Sequence, residues 1–280
     1  MRCLLVCMLL LTAACRTVQS ESVVRACKPV DSTLDAAGFE VEFEHYSPSA
    51  NSARTVIVMP PTGGSTFLES RYATLFCDAG FGVYVVRGWT GMAETSIELA
   101  LHHRLFGRAQ QAINLVAEDA PDGFVGILGT SVGGLHAATA VGHLDRISAG
   151  FVIAAGAPVA DVIAYTEQGE LASLREERMR HFGFADQTAY RDALAAEFAW
   201  EPLAFLSSAR EKPLGMVLVR GDKTVPTPLQ EQLRKAWRPE ADYTVSGFPL
   251  GAHPVGIFQA WLLHRQDILV FFTDHASAQY

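Results

Sequence analysis

Five short apolar runs constrain any fold of this chain: Val56-Ile57-Val58-Met59, Val83-Tyr84-Val85-Val86, Val125-Gly126-Ile127-Leu128, Phe151-Val152-Ile153-Ala154 and Met216-Val217-Leu218-Val219. None alternates with polar residues, so each needs cover on both faces. Strands of that kind belong in a parallel sheet packed between helices. Helical segments around Leu68 to Ala79, Glu98 to Ala117 and Leu135 to Leu144 separate the runs. Each is long enough to return the chain to the same end of a sheet. Upstream, Phe39, Val41 and Phe43 alternate with Glu40, Glu42 and Glu44, the period-two pattern of a strand with one wet face. That segment is expected to be the first, edge strand. Tyr243 to Val245 supplies a short last one. The expected fold class is α/β, with a doubly wound, mostly parallel sheet.

One interval breaks the alternation. From Asp161 to Lys212 no strand pattern appears; Leu171, Leu174, Met179 and Phe182 fall on one helical face, and Tyr190, Leu194 and Phe198 on the next. This reads as a helical cap inserted between two strands, at about 161–212. With 280 residues, 49% of them hydrophobic, the chain has apolar material for one large core. The expected organisation is a signal over 1–14, a tether or irregular lead-in over 15–38, and one domain over 39–280.

The signal reading rests on Met1-Arg2, the apolar run Cys3 to Leu11, and the small residues before Cys15. The run is shorter than the roughly 20 apolar residues that a membrane-spanning helix needs. Leu11-Thr12-Ala13-Ala14-Cys15 resembles a bacterial lipobox, with Thr12 where the lipobox usually has leucine. The resemblance implies an exported lipoprotein acylated on Cys15, held at the periplasmic side of the cell envelope by its lipid alone. Cys27 and Cys77 then remain, two thiols that an oxidising compartment would allow to pair. A net charge of -8 without any Lys/Arg run argues against nucleic acid as a partner.

The chemistry begins after the Phe124 to Leu128 run, where Gly129-Thr130-Ser131-Val132-Gly133-Gly134 leads into a helical segment. G-x-S-x-G in a strand-turn-helix context lifts the serine to the apex of a strained turn. Glycines are needed two places either side because the backbone approaches itself too closely for a Cβ. The same turn aims the Val132 N–H at the position where an oxyanion would form. Downstream of Met216 to Val219, Asp222 sits in the loop beyond a strand's carboxyl end, where open α/β sheets place functional groups. His253 follows the last strand in Gly251-Ala252-His253-Pro254. The chain order is Ser, Asp, His. Asp161 is the rival acid; His102, His103, His136, His143, His181 and His264 are expected in exposed or capping roles.

At GTSVGG, DKTVP and GAHP, with a closing helix that ends in Phe271-Phe272, the chain resembles the α/β-hydrolase superfamily from about Phe39 to Phe272. The resemblance implies a triad of Ser131, Asp222 and His253 that transfers an acyl group to the serine and then to water. Its substrate would be a small-molecule or peptide ester or amide. The family usually has His-Gly after its third strand, whereas here Pro60-Pro61-Thr62-Gly63-Gly64 occurs. Proline has no N–H to donate, so the second oxyanion donor is expected from Thr62, with Gly63 as the alternative. No cofactor and no metal are expected: neither H-E-x-x-H, C-x-x-C nor G-x-G-x-x-G spacing occurs. Two other readings use the same residues: an acyltransferase with the same triad, and a non-catalytic binding protein on a hydrolase scaffold.

Overall fold

The computed structural model describes residues 27–49, 52–62, 64–247 and 253–278. The readings on the signal, on Cys15 and on Gly63 lie outside the described residues. Among those described, the strands are β1 (Pro29–Ala36), β2 (Phe39–Tyr46), β3 (Arg54–Met59), β4 (Gly82–Trp89), β5 (Phe124–Thr130), β6 (Ala149–Ile153), β7 (Leu214–Val219) and β8 (Ala241–Val245). They form one eight-stranded sheet in the order β1-β2-β4-β3-β5-β6-β7-β8. β1 pairs with β2, and β2 with β4, antiparallel; every other pairing is parallel.

Helices cover both faces, which is why the interior strands β3, β5, β6 and β7 are buried along nearly their whole length. Within β3, Ile57 and Met59 join one core layer while Val56 and Val58 join the other. The first layer is closed by α2 (Leu101–Asp119), α3 (Val132–His143) and α8 (Thr227–Trp237), through Phe106, Ile113, Leu135 and Trp237. The second is closed by α1 (Phe67–Asp78) and α9 (His253–Ser277), through Leu68, Tyr72, Phe76 and Phe272. Each of these large side chains stabilises the fold by about 1.5–3 kcal/mol on full burial.

Two expectations about the amino-terminal part need correction. Residues Pro29–Ala36 are not an irregular lead-in: they form β1, and β2 is therefore second from the edge. The reason is that β1 is held by its backbone ladder to β2, paired from Pro29↔Tyr46 to Ala36↔Phe39, while its side chains stay exposed or half-buried. A strand with no buried face leaves no hydrophobic period to read. Just before it, Cys27 forms a disulfide with Cys77 of α1, their Cα atoms 5.7 Å apart.

Between β6 and β7 the chain is helical: α4 (Val159–Tyr165), α5 (Gly169–Phe182), α6 (Gln187–Glu197), a 3-10 turn (Pro202–Phe205) and α7 (Leu206–Ala209). The α5 stripe is less buried than its period suggests, since Phe182 is 44% exposed. What fixes α5 is instead Arg178, fully buried, which donates to the carbonyls of Ile97 and Glu98 and to the Tyr190 hydroxyl.

Candidate active site

The turn from β5 into α3 places Ser131 at the carboxyl end of the sheet. Its φ of 57° with ψ of -122° is a conformation that non-glycine residues rarely adopt, and one that persists only where surroundings enforce it. Here the enforcement is visible. The Ser131 N–H donates to the Ile153 carbonyl of β6 at 2.8 Å. A Cβ on Gly129 would meet the Gly133 carbonyl oxygen at 2.2 Å, and a Cβ on Gly133 would meet the Met59 and Pro60 carbonyl oxygens at 2.3 and 2.4 Å. The two glycines thus let α3 close against its own strand and against the end of β3.

The structure brings Ser131, His253 and Asp222 together. Ser131 Oγ lies 2.7 Å from His253 Nε2, and His253 Nδ1 lies 2.6 Å from Asp222 Oδ2. A carboxylate only accepts, so Nδ1 carries the imidazole proton and Nε2 presents a lone pair to the serine hydroxyl. Asp222 is in the loop after β7, with its side chain fully buried. Its Oδ1 accepts from the Thr224 and Val225 N–H groups at 2.9 and 3.1 Å, and its Oδ2 also accepts from the Gln230 amide at 3.1 Å. The carboxylate is therefore hydrogen-bonded on both oxygens and compensated despite its burial. His253 is the first residue of α9, so the histidine is fixed by the start of a 25-residue helix.

Ser131 and His253 open onto a cavity of about 780 Å³ whose lining includes Thr62, Phe67, Glu69, Gln168 and Phe258. Thr62 thus faces the same space as the serine. The Val132 N–H belongs to the first residue of α3, directly after Ser131, where helix N–H groups have no intrahelical acceptor. A larger groove of about 870 Å³, lined by Gln110, His143 and Trp200 among others, contains none of these groups.

Other titratable groups are placed elsewhere. Asp161 lies in α4 and pairs with Arg191 at 3.6 Å, while the carboxylate that faces His253 is Asp222. His102 and His136 are buried rather than exposed or capping, and burial pushes both imidazoles down to about 3. His136 packs edge-on against Phe106 with ring centroids 4.3 Å apart, so it serves the core as a neutral aromatic. Among the described residues, no cluster of His, Cys, Asp or Glu could hold a metal ion.

Two residues at the site escaped sequence reasoning. Gln230 shares the buried face of α8 with Leu233 and Trp237. Glu69 shares the buried face of α1 with Tyr72, Ala73 and Phe76. In each case a polar residue on an apolar helical stripe was the available signal.

With this geometry in view, solved structures supply the comparison. A Pyrococcus horikoshii acylaminoacyl peptidase superposes with a TM-score of 0.65 at 15% identity, over 89% of this chain and 42% of that one. An α/β hydrolase from Penicillium sp. gives 0.62 at 14% identity over 89% and 99%. A Pyrococcus furiosus esterase gives 0.59 at 14% identity over 89% and 92%. The chain spans about two fifths of the length of the acylaminoacyl peptidase. The fold is that of the α/β hydrolases. No protein-family model and no curated protein matches the sequence.

Proposed function

We propose that this chain is a serine hydrolase that cleaves an ester or amide bond through an acyl-enzyme on Ser131. One observation carries the reading: a strained serine, a histidine and a buried carboxylate stand in an unbroken hydrogen-bonded line at the mouth of a cavity. The Ser131 hydroxyl attacks the substrate carbonyl while His253 Nε2 takes its proton, and Asp222 stabilises the imidazolium that forms. The N–H groups of Val132 and Thr62 hold the oxyanion, each contributing about 3–4 kcal/mol by analogy with measured donors of this kind. Collapse of the tetrahedral intermediate expels the alcohol or amine, protonated by His253. Water then repeats the sequence and releases the acid, with the serine proton restored.

We also propose that the protein works outside the cytoplasm, anchored through lipid on Cys15. The Cys27–Cys77 disulfide supports an oxidising location. No described helix is long and apolar enough to cross a membrane. Mass spectrometry of the mature amino terminus tests this: an unmodified terminal peptide would refute the anchor.

The enzymatic reading is tested by labelling with a fluorophosphonate. An adduct located on Ser131 and absent from Ser131→Ala is expected. Failure of the folded wild type to label would remove the nucleophile assignment.

A further inference from the structure

The cavity beside Ser131 holds a carboxyl group that the triad does not use. Glu69 is completely buried, at 0% exposure, yet it lines the same cavity as Ser131 and His253. Its Oε2 accepts from the Thr66 N–H at 2.8 Å and from the Thr66 hydroxyl, which closes the capping box at the start of α1. Its Oε1 has no hydrogen-bond partner. A capping box occupies only one carboxyl oxygen, so the cap explains Oε2 and leaves Oε1 unexplained. A buried acceptor without a donor is destabilising and calls for an explanation, and here the place of Glu69 in the lining of the cavity beside Ser131 supplies one.

The rest of the lining indicates what kind of donor is missing. Phe67, Leu68, Ile257 and Phe258 make apolar walls; Thr62, Thr224 and Gln168 are neutral; the charged members are Glu69 and the exposed Glu170. Among the described residues lining the cavity there is no Lys or Arg. The space is thus mostly apolar, with two carboxyl groups and no basic side chain in its lining. In such surroundings an ion pair with a ligand is worth far more than in water.

We propose that Glu69 receives the protonated amine of an aminoacyl substrate, so that the acyl group presented to Ser131 carries a free ammonium on an otherwise apolar frame. The proposal rests on reading Ser131 as the nucleophile and names the substrate class of that site. The ammonium donates to Oε1 and keeps its protons throughout. Only the acyl–oxygen or acyl–nitrogen bond breaks, and the leaving group takes its proton from His253. Burial raises the Glu69 carboxyl above its ordinary 4.5, and a cation alongside would oppose that rise.

The test compares leucine methyl ester with the methyl ester of isocaproic acid, which differs only in lacking the amine. Wild-type kcat/KM is expected to favour the aminoacyl ester by about tenfold or more, the range of a charged hydrogen bond. Glu69→Gln keeps an acceptor for the capping box, which takes either residue. It should abolish that preference, lowering kcat/KM for the aminoacyl ester by about tenfold or more relative to the neutral ester measured on the same variant. No preference in the wild type, or an equal loss on both esters in the variant, would overturn the proposal and leave Glu69 as a helix cap. A measurement on the wild type alone guards against misfolding of the variant: leucinamide should slow fluorophosphonate labelling of Ser131 at lower concentration than isocaproamide. Labelling slowed equally by both refutes the amine site, whereas absence of labelling refutes the nucleophile itself.

Discussion

The Gln230 side-chain nitrogen lies 3.1 Å from Asp222 Oδ2, the same oxygen that faces His253 Nδ1. Gln230 is fully buried. Its Oε1 accepts from the Val219 N–H at 2.9 Å, and its Nε2 also donates to the Val225 carbonyl at 2.7 Å. One amide thereby ties the acid to the end of β7, to its own loop and to α8. With Oδ1 held by Thr224 and Val225, the carboxylate cannot rotate away from the imidazole.

Replacing Gln230 with leucine removes that tie and leaves the Val219 N–H and Val225 carbonyl without this partner. Misplacement of the acid should lower kcat by up to about 100-fold, the effect expected when a reacting group shifts by about an ångström. KM should stay within experimental scatter, because Asp222 does not line the cavity. Steady-state kinetics on folded Gln230→Leu checks this. A KM effect with unchanged kcat would show that Gln230 shapes the cavity rather than positioning the acid.

How far the sequence reveals this arrangement depends on the range over which each feature is specified. The elbow is legible because its constraints are local: the strain at Ser131 and the glycine clearances fall within a few neighbouring residues, and the flanking strand and helix carry strong periods. The interior strands are legible because burial on both faces writes itself into every position. Asp222 and His253 follow from chain order once the elbow is recognised. β1 is not legible, since an edge strand held by backbone pairing has no apolar face. The roles of Gln230 and Glu69 are equally hidden: each depends on what a buried helix face meets across the fold, and sequence period says only that the face is buried. The interior placement of His102 and His136 is missed for the same reason.

Gly133 offers a local test of the elbow. A methyl group there would sit 2.3 Å from the Met59 carbonyl oxygen and 2.4 Å from that of Pro60, both backbone atoms at the entrance to the Thr62 loop. Neither can move without shifting β3. Gly133→Ala should cost about 1–3 kcal/mol by overpacking. It should also cut kcat more than that loss of stability implies, because the displaced segment carries the proposed second oxyanion donor. Thermal unfolding together with kcat of the folded fraction measures both. Full activity in the alanine variant would mean that the end of β3 is free to adjust.

The Cys27–Cys77 bridge spans 50 residues and clamps the segment before β1 to α1. In the chain-entropy account, closing a loop of this size stabilises by about 4 kcal/mol. Reduction should therefore lower Tm by on the order of 10 °C for a domain of this length. Cys77→Ser should reproduce the loss and become insensitive to reductant. Calorimetry with and without dithiothreitol decides the matter. An unchanged Tm would show that the ladder between β1 and β2 holds the edge without the bridge.

Glu201 provides a pH-dependent test of the helical segment between β6 and β7. Its Oε2 accepts from the Val159 N–H at 2.7 Å while Oε1 is buried without a partner, and burial pushes the carboxyl up to about 7 from an ordinary 4.5. A raised carboxyl retains its proton in the folded chain at pH values where the unfolded chain has released it. The associated stability is fully present below about 4.5 and is lost as pH rises through about 7. The loss is about 3 kcal/mol, since holding the proton across each pH unit of that interval is worth roughly 1.4 kcal/mol. Glu201→Gln keeps an acceptor for Val159 and removes the ionisation. Relative to wild type, the variant should gain several degrees of Tm at pH 8, with the gain shrinking as pH falls and vanishing near pH 4.5, measured by thermal unfolding across that range. A gain of equal size at both ends would assign the effect to packing rather than to the proton.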